Sequence, residues 1–200
     1  MWVLKIGGSW ITNPKLTTLI RRLDKKKKGK IIIVAGGGCF ADSVRFAFKK
    51  TKMSEKLANT LALKSTEIFC SYLKDINKKL FLTTDKCFKE NSLNVWLPSV
   101  ILSNEKSFKR NWDSTSDSVA AWLSDNIKAD GLVFIKSLKK FEKINKLADL
   151  QKKNIIDKNT STYLKSFKGE IKITGLDILK ILEKNNNWES CVKDLGEIKL

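Results

Sequence analysis

Histidine is absent from all 200 residues, and that absence removes a good deal of chemistry. No Ser-His-Asp or Cys-His constellation and no histidine general base can be built. The four cysteines (Cys39, Cys70, Cys87 and Cys191) are scattered without a CxxC pair, so neither a zinc site nor a disulfide framework is expected. They read as reduced thiols of a cytoplasmic protein. Arginine is scarce too, with Arg21, Arg22, Arg45 and Arg110 the only four among 39 basic residues. Nucleic-acid surfaces lean on arginine for bidentate and stacking contacts. The net charge of +18 therefore reads as a background field that draws in small anionic substrates, not as a nucleic-acid surface. No apolar run approaches the roughly 18 residues that span a bilayer. The N-terminus has no basic segment leading into a longer apolar stretch, so neither a membrane partner nor secretion is expected.

What is present is a pair of glycine loops, each on the end of an apolar strand: WVLKIGGS (2–9) and IIIVAGGG (31–38). Backbone without side chains after a buried strand lets amide N–H groups converge on an anion, and phosphate is the usual guest. Lys5 stands just ahead of the first glycines, where its ammonium can reach the same anion as a point charge. The alternative for Lys5 is a strand-end lysine that merely snorkels to solvent. Two such loops in one chain suggest two phosphate-bearing molecules held face to face.

Strand and helix signals alternate along the rest of the chain. Asn13-Pro14 reads as an N-cap followed by proline at the first helical position, with the helix running to about 28 and stopped by Gly29. A strand over 30–35 follows, then helices over 40–50 and from Ser54-Glu55 to about 75. In the first of these, Phe40, Val44, Ala47 and Phe48 share a side. In the second, Ala58, Leu61, Ala62, Ser65, Ile68, Phe69 and Tyr72 form a stripe read as core. Strands are expected over 80–83, 94–97, 131–135 (buried on both faces) and 170–173. Helices are expected over 116–126, near 148, over 160–164 and over 176–183, before a basic tail. Near-continuous apolar strands separated by helices imply an α/β fold with a mostly parallel sheet covered on both faces. Ligands in such sheets sit beyond the carboxyl ends of the strands, where both glycine loops fall.

A third segment, NWDSTSDSVAAWL (111–123), carries two acids and four hydroxyls ahead of small residues. Thr115 or Ser116 can cap a helix, with Asp117 in its first turn favoured by the dipole. A carboxylate here can equally orient a catalytic lysine or a metal-bound nucleotide, and the residues alone leave both readings open. Asp42 and Arg45 lie three apart on one helix face. They form either a local ion pair or a clamp in which Arg45 binds an acceptor phosphate and Asp42 an acceptor amine.

Together LKIGGS, VAGGGCFADSVR (34–45) and TSDSVAAWL (115–123) resemble the amino acid kinase family, best over about 2–135. That family includes acetylglutamate, aspartate, uridylate and isopentenyl phosphate kinases. The forms look closest to a short branch that includes the [5-(aminomethyl)furan-3-yl]methyl phosphate kinase of methanofuran-type cofactor biosynthesis. The resemblance implies a three-layer αβα sandwich in one domain over 1–200, with an acceptor-binding half (1–110) and a nucleotide-binding half (111–200). It implies phosphoryl transfer from ATP with Mg2+, a phosphate-bearing acceptor that becomes a diphosphate, and a homo-oligomer. At this length no separate regulatory domain is expected. Carried over residue by residue, Lys5 contacts the transferred phosphoryl and Asp117 orients the active-site lysines. Gly7, Gly8 and Ser9 donate N–H groups to ATP, with Lys136 as a second phosphate lysine. Gly36, Gly37 and Gly38 form the loop over the acceptor, and Asp113 is placed beside the substrate with metal or water contacts. No metal-ligand set of the protein's own is implied.

Two departures stand out. Where many relatives carry a Thr-Asp turn, this chain reads IKSLKK (135–140), leaving Thr174-Gly175 as the suggested later wall of the adenine pocket. The missing histidine also sets the chain apart from the isopentenyl phosphate branch. Alternative expectations are a nucleotide-binding protein of the same fold without turnover, or a kinase with a carboxylate or uridylate acceptor.

Overall fold

Period-two alternation decides the architecture. In β1 (Trp2–Ile6), Leu4 and Ile6 face one way and Val3 and Lys5 the other. β2 (Lys30–Ala35) sorts likewise, Ile31, Ile33 and Ala35 against Ile32 and Val34. So does β5 (Gly131–Ile135), with Val133 and Ile135 opposite Leu132 and Phe134. The structure is a computed structural model and describes residues 1–26 and 30–200.

Helices cover both faces. The Leu4 face is packed by α1 (Leu16–Asp24), α3 (Glu55–Ile76), α8 (Ile178–Lys184) and α9 (Trp188–Lys193). The Val3 face is packed by α5 (Ser116–Asn126), α6 (Leu147–Lys152) and α7 (Thr160–Leu164), joined by Leu102 of the short α4 (Ser99–Leu102). This is the sheet covered on both faces that the alternation implies, and the three-layer αβα sandwich that the resemblance implies. The remaining strands are β3 (Phe81–Thr83), β4 (Ser92–Trp96), β6 (Ile144–Lys146), β7 (Glu170–Thr174) and β8 (Gly196–Lys199). Their order is β3-β4-β2-β1-β5-β7-β8-β6, with every neighbouring pair parallel except β7 and β8. The chain winds outward from β1 in both directions. The carboxyl ends of β2, β1 and β5 therefore meet at a topological switch point, the place where open α/β sheets bind ligands.

Several local expectations are corrected. α1 begins at Leu16, not at Pro14, because a 3-10 helix (Gly8–Thr12) occupies the approach. Asn13 instead closes a turn, its side-chain oxygen accepting from the Lys15 N–H at 2.9 Å and its carbonyl from the Leu16 N–H at 3.0 Å. The expected stop at Gly29 lies outside the described residues. α2 (Gly38–Lys50) starts inside the triple glycine, and of its side chains only Ala41 is buried. The Ser54 cap of α3 is present, accepting from the Leu57 N–H at 3.3 Å. The stripe on α3 is core only in part, since Ile68 is 48% and Tyr72 42% exposed on the flank turned away from the sheet. β6, β8 and α9 had no sequence expectation. All four cysteines are unpaired, Cys39 and Cys87 exposed and Cys70 and Cys191 buried. Among the described residues no helix is long and apolar enough to cross a membrane.

Candidate active site

Lys5 emerges one residue before the end of β1 on the Val3 face, where α5 crosses the sheet. Val119, Ala120 and Ala121 give α5 a buried, small-residue surface that seats it close to the strands. Asp117 in its first turn is thereby brought against the lysine. The Lys5 ammonium lies 2.9 Å from Asp117 Oδ1. Lys136, the residue after β5, donates to Asp117 Oδ1 and Oδ2 at 2.8 and 2.9 Å. Lys5 and Asp117 are each only 4% exposed. One carboxylate thus stands between two ammonium groups at the switch point.

The environment tunes both partners. Burial alone would raise the Asp117 carboxyl, but Lys136 and Lys5 outweigh it and hold it down at about 2. Burial and the nearby Lys5 charge pull Lys136 down to about 8 against the opposing pull of Asp117. The group carries one more positive charge than negative, in a water-poor setting where such charge acts strongly on an incoming anion.

The glycine loops interlock beside this group. A Cβ on Gly8 would stand 2.3 Å from the Gly38 amide nitrogen, and one on Gly36 2.3 Å from that of Gly8. Gly38 has φ +52, a conformation that favours glycine. The Gly7 N–H is already donated to the Ile135 carbonyl at 2.9 Å and that of Gly36 to the Ile6 carbonyl at 2.8 Å. The expectation that Gly7 donates to ATP is corrected accordingly, because extending the sheet ladder consumes its amide. Gly8 and Ser9 open the 3-10 helix while Gly37 and Gly38 open α2, positions whose N–H groups lack intrahelical partners. The Ser9 hydroxyl hydrogen-bonds that of Ser137 at 2.6 Å, tying the first loop to the turn that carries Lys136. These backbone groups and two lysines fit a polyphosphate. Among the described residues no three Asp, Glu, His or Cys side chains gather as a metal cage. Mg2+ in phosphoryl-transfer sites rests largely on substrate phosphates and water, so this donor set fits a metal carried in on the nucleotide.

Other expected residues fall elsewhere. Arg45 lines a small pocket of ≈ 40 Å³ with Gly37, Asn59, Trp112 and Ser116, its guanidinium carbon 5.5 Å from the Trp112 ring centroid. Its Nη1 also pairs with Asp42 at 2.6 Å, and Asp42 is exposed and does not line that pocket. The clamp with Asp42 on an acceptor amine is thus not formed, because the i,i+3 ion pair takes that carboxylate. Asp113 is half-exposed, 3.8 Å from Lys158, on a neighbouring surface cleft it shares with Asp117 and Asp157. Thr174-Gly175 abuts the turn after β5, Lys136 donating its N–H to the Thr174 carbonyl at 2.9 Å. Asp177 Oδ1 accepts from the Thr174 hydroxyl at 3.0 Å and the Gly175 N–H at 2.8 Å, so a Thr-Asp turn closes β7 where none follows β5.

Sequence reasoning missed Asp157. Thr115 stands at the N-cap of α5, but its side chain makes no capping bond. Asp157 caps the helix from 42 residues away, accepting from the Thr115 N–H and hydroxyl at 2.8 Å each and from the Ser118 N–H at 3.0 Å. It also accepts from the Ser118 hydroxyl and from the Thr160 N–H and hydroxyl. The Asp157 N–H reaches Asp117 Oδ2 at 3.3 Å. The hydroxyl-rich segment is therefore largely occupied in holding Asp117 still.

The amino acid kinase family model matches residues 1–140. A curated relative from Methanocaldococcus jannaschii, [5-(aminomethyl)furan-3-yl]methyl phosphate kinase, is 29% identical over 130 residues. That match spans 62% of this chain and 59% of the relative's length. Among solved structures, uridylate kinase from Archaeoglobus fulgidus superposes with a TM-score of 0.67 at 16% identity, over 91% of this chain and 95% of that one. An isopentenyl phosphate kinase superposes with a TM-score of 0.64 at 10% identity, over 99% of this chain and 98% of that one. The interlocked glycine loops and the lysine-flanked Asp117 stand within the matched segment, and the chain belongs to the amino acid kinase family.

Proposed function

We propose that this chain is an ATP-dependent phosphotransferase acting on a small phosphate monoester to give a diphosphate. The acceptor we favour is [5-(aminomethyl)furan-3-yl]methyl phosphate, the compound in the curated relative's name. The observation that carries the reading is the buried Lys5–Asp117–Lys136 group at the carboxyl ends of β1 and β5. In this reading residues 111–200 supply most of the nucleotide side and residues 1–110 most of the acceptor side.

Bound MgATP supplies the phosphoryl group, and its bond to the β-phosphate oxygen breaks as an acceptor oxygen bonds to phosphorus, releasing ADP. Such transfer is mostly positioning plus neutralisation of charge on the equatorial oxygens. Lys5 and Lys136 provide that positive charge, and Asp117 keeps both ammonium groups aimed and favours the protonated form of Lys136. The free N–H groups of Gly8, Ser9, Gly37 and Gly38 bind phosphate oxygens. A phosphate acceptor is already anionic at neutral pH, so the site needs no histidine or other general base.

The test is ADP release from MgATP across [5-(aminomethyl)furan-3-yl]methyl phosphate, uridylate, isopentenyl phosphate, acetylglutamate and aspartate, with Lys5→Ala as control. Turnover on one phosphate monoester, lost in the variant, is the expected result. Lysine at position 136, where many relatives carry a Thr-Asp turn, favours a second reading: a nucleotide-binding member without turnover. Tight MgATP binding with no ADP release on any acceptor would select it.

A further inference from the structure

The pocket beside the triple glycine holds a polar group that the catalytic reading leaves unused. Asn59 sits on α3, is 3% exposed and lines that pocket with Gly37, Arg45 and Trp112. Its Nδ2 donates to the backbone carbonyls of Asn111 and Ser114 at 3.0 and 3.4 Å. Both partners are carbonyls and can only accept, so they fix which end of the amide is nitrogen. The oxygen must then be the other end, and among the described residues Asn59 Oδ1 has no hydrogen-bond partner. A buried carbonyl oxygen without a partner costs free energy, and native proteins keep one mainly where a ligand or water satisfies it.

The surroundings are held firmly enough for this to matter. The loop 111–114 is pinned to α3 by Asn59 and by Glu55, which accepts the Trp112 N–H at 3.0 Å. From the other side Asn159 donates to Asn111 Oδ1 at 3.0 Å and to the Ser114 hydroxyl oxygen at 2.9 Å. Nothing described here moves in to satisfy the oxygen. The Trp112 indole N–H is likewise buried without a partner. The residues lining the pocket therefore carry one unpaired acceptor, one unpaired donor and the Arg45 guanidinium, a set complementary to a molecule with a hydrogen-bond donor and an anionic group.

We propose that Asn59 is a specificity-determining residue, its Oδ1 accepting a hydrogen bond from an N–H or O–H carried on the non-reacting end of the acceptor. This rests on the reading of the pocket as the acceptor site. A site built around such a bond rejects an analogue that lacks the donor, because the buried oxygen is then left unpaired. It also separates two acceptors with the same phosphate by their far ends, which the glycine loops and lysines cannot do.

The experiment measures calorimetric binding of three furan-3-ylmethyl phosphates that differ only at the 5-position: aminomethyl, hydroxymethyl and ethyl. Wild-type protein is expected to bind one or both donor-bearing compounds at least about tenfold more tightly than the ethyl compound. Which of the two wins identifies the donor as ammonium or hydroxyl. Asn59→Ala should bring the ratio to near one. Equal binding of the three by wild type, no binding of any, or an unchanged ratio in Asn59→Ala would each overturn the proposal. Should Asn59→Ala not fold, the 13C shift of the Asn59 side-chain carbonyl in wild type decides: it should move with the donor-bearing compounds and not with the ethyl compound, and the absence of that difference would overturn the proposal. ADP release on the same compounds reads the kinase proposal separately. Turnover without discrimination would sink only the role of Asn59, and discrimination without turnover would sink only the kinase.

Discussion

Replacing Asp117 with asparagine should be costly in a way that depends on pH, and the size follows from the geometry. The carboxylate contacts two ammonium groups at 2.8 and 2.9 Å. At an effective dielectric of about 20, each contact carries about 6 kcal/mol of attraction before desolvation is counted. Much of that offsets the cost of burying three charges. Removing one partner of a buried pair leaves the other charge uncompensated, a loss of about 3–5 kcal/mol. In a chain of this size that lowers the melting temperature by about 6–20 °C. Asparagine keeps the shape and one acceptor oxygen, so the loss reports charge and not a cavity. Lys136, already down at about 8 with Asp117 present, would fall further and escape the penalty by shedding its proton. Urea unfolding of wild type and Asp117→Asn at pH 7 and pH 9 should therefore show a large gap that narrows at the higher pH. A loss below about 1 kcal/mol at pH 7, or a gap that does not narrow, would refute the account of a carboxylate stabilised by two buried lysines.

Lys136 gives stability and activity opposite pH trends. Its native value of about 8 lies below the ordinary 10.5, so between those pH values the unfolded chain holds the extra proton and this group's contribution to stability rises with pH. Turnover should fall over the same window as the phosphate-facing charge is lost; the check is an initial-rate profile from pH 6.5 to 9.5, and a flat limb above 8 would remove Lys136 from the reaction. Asp157→Ala strands the N–H and hydroxyl groups of Thr115, Ser118 and Thr160. It should cost about 2–4 kcal/mol in urea unfolding and depress kcat more than KM, since Asp117 loses its support. Gly8→Ala drives a methyl to 2.3 Å from the Gly38 nitrogen, and since backbone cannot yield as a flexible side chain does, about 1–3 kcal/mol should be lost along with most MgATP affinity by calorimetry. Arg45→Ala removes a half-exposed cation whose pair with Asp42 adds little to stability, so melting should hardly move while the acceptor KM rises about tenfold.

What could be read from the sequence and what could not separates along the range of the interactions involved. β1, β2 and β5 announce themselves because strands buried on both faces are runs of Ile, Val and Leu, and the helices between them imply parallel pairing. Lys5 is legible locally because it stands beside a glycine loop. Asp117 at a helix start and Lys136 after β5 are marked by position alone, and their suggested roles come from the family resemblance. β6 has Ile144 exposed and no buried residue, so no burial period marks it, and β8 is assigned mainly by what it pairs with. The start of α1 was misplaced because Asn13-Pro14 satisfies the local rule for a cap, while the Gly8–Thr12 turn that preempts it depends on packing against α2 and α3.

The two residues that give the site its definition beyond the family motifs are the two that local rules cannot reach. Asp157 acts on α5 across 42 residues from a lysine- and asparagine-rich stretch that reads as loop, and only the folded chain shows six donors converging on one carboxylate. Asn59 did leave a trace, since a polar side chain on the apolar face of α3 between Ala58 and Ala62 breaks the helix pattern. A broken pattern marks a position as unusual without saying which end of the amide is satisfied; that needs the carbonyls of Asn111 and Ser114, more than 50 residues on. In the proposed reading, catalytic position is written into the strand ends, whereas the support of Asp117 and the choice of acceptor rest on long-range polar contacts. Substitutions at 59 should accordingly change specificity with the Lys5–Asp117–Lys136 contacts left in place, whereas substitutions at 157 should lower kcat by loosening Asp117.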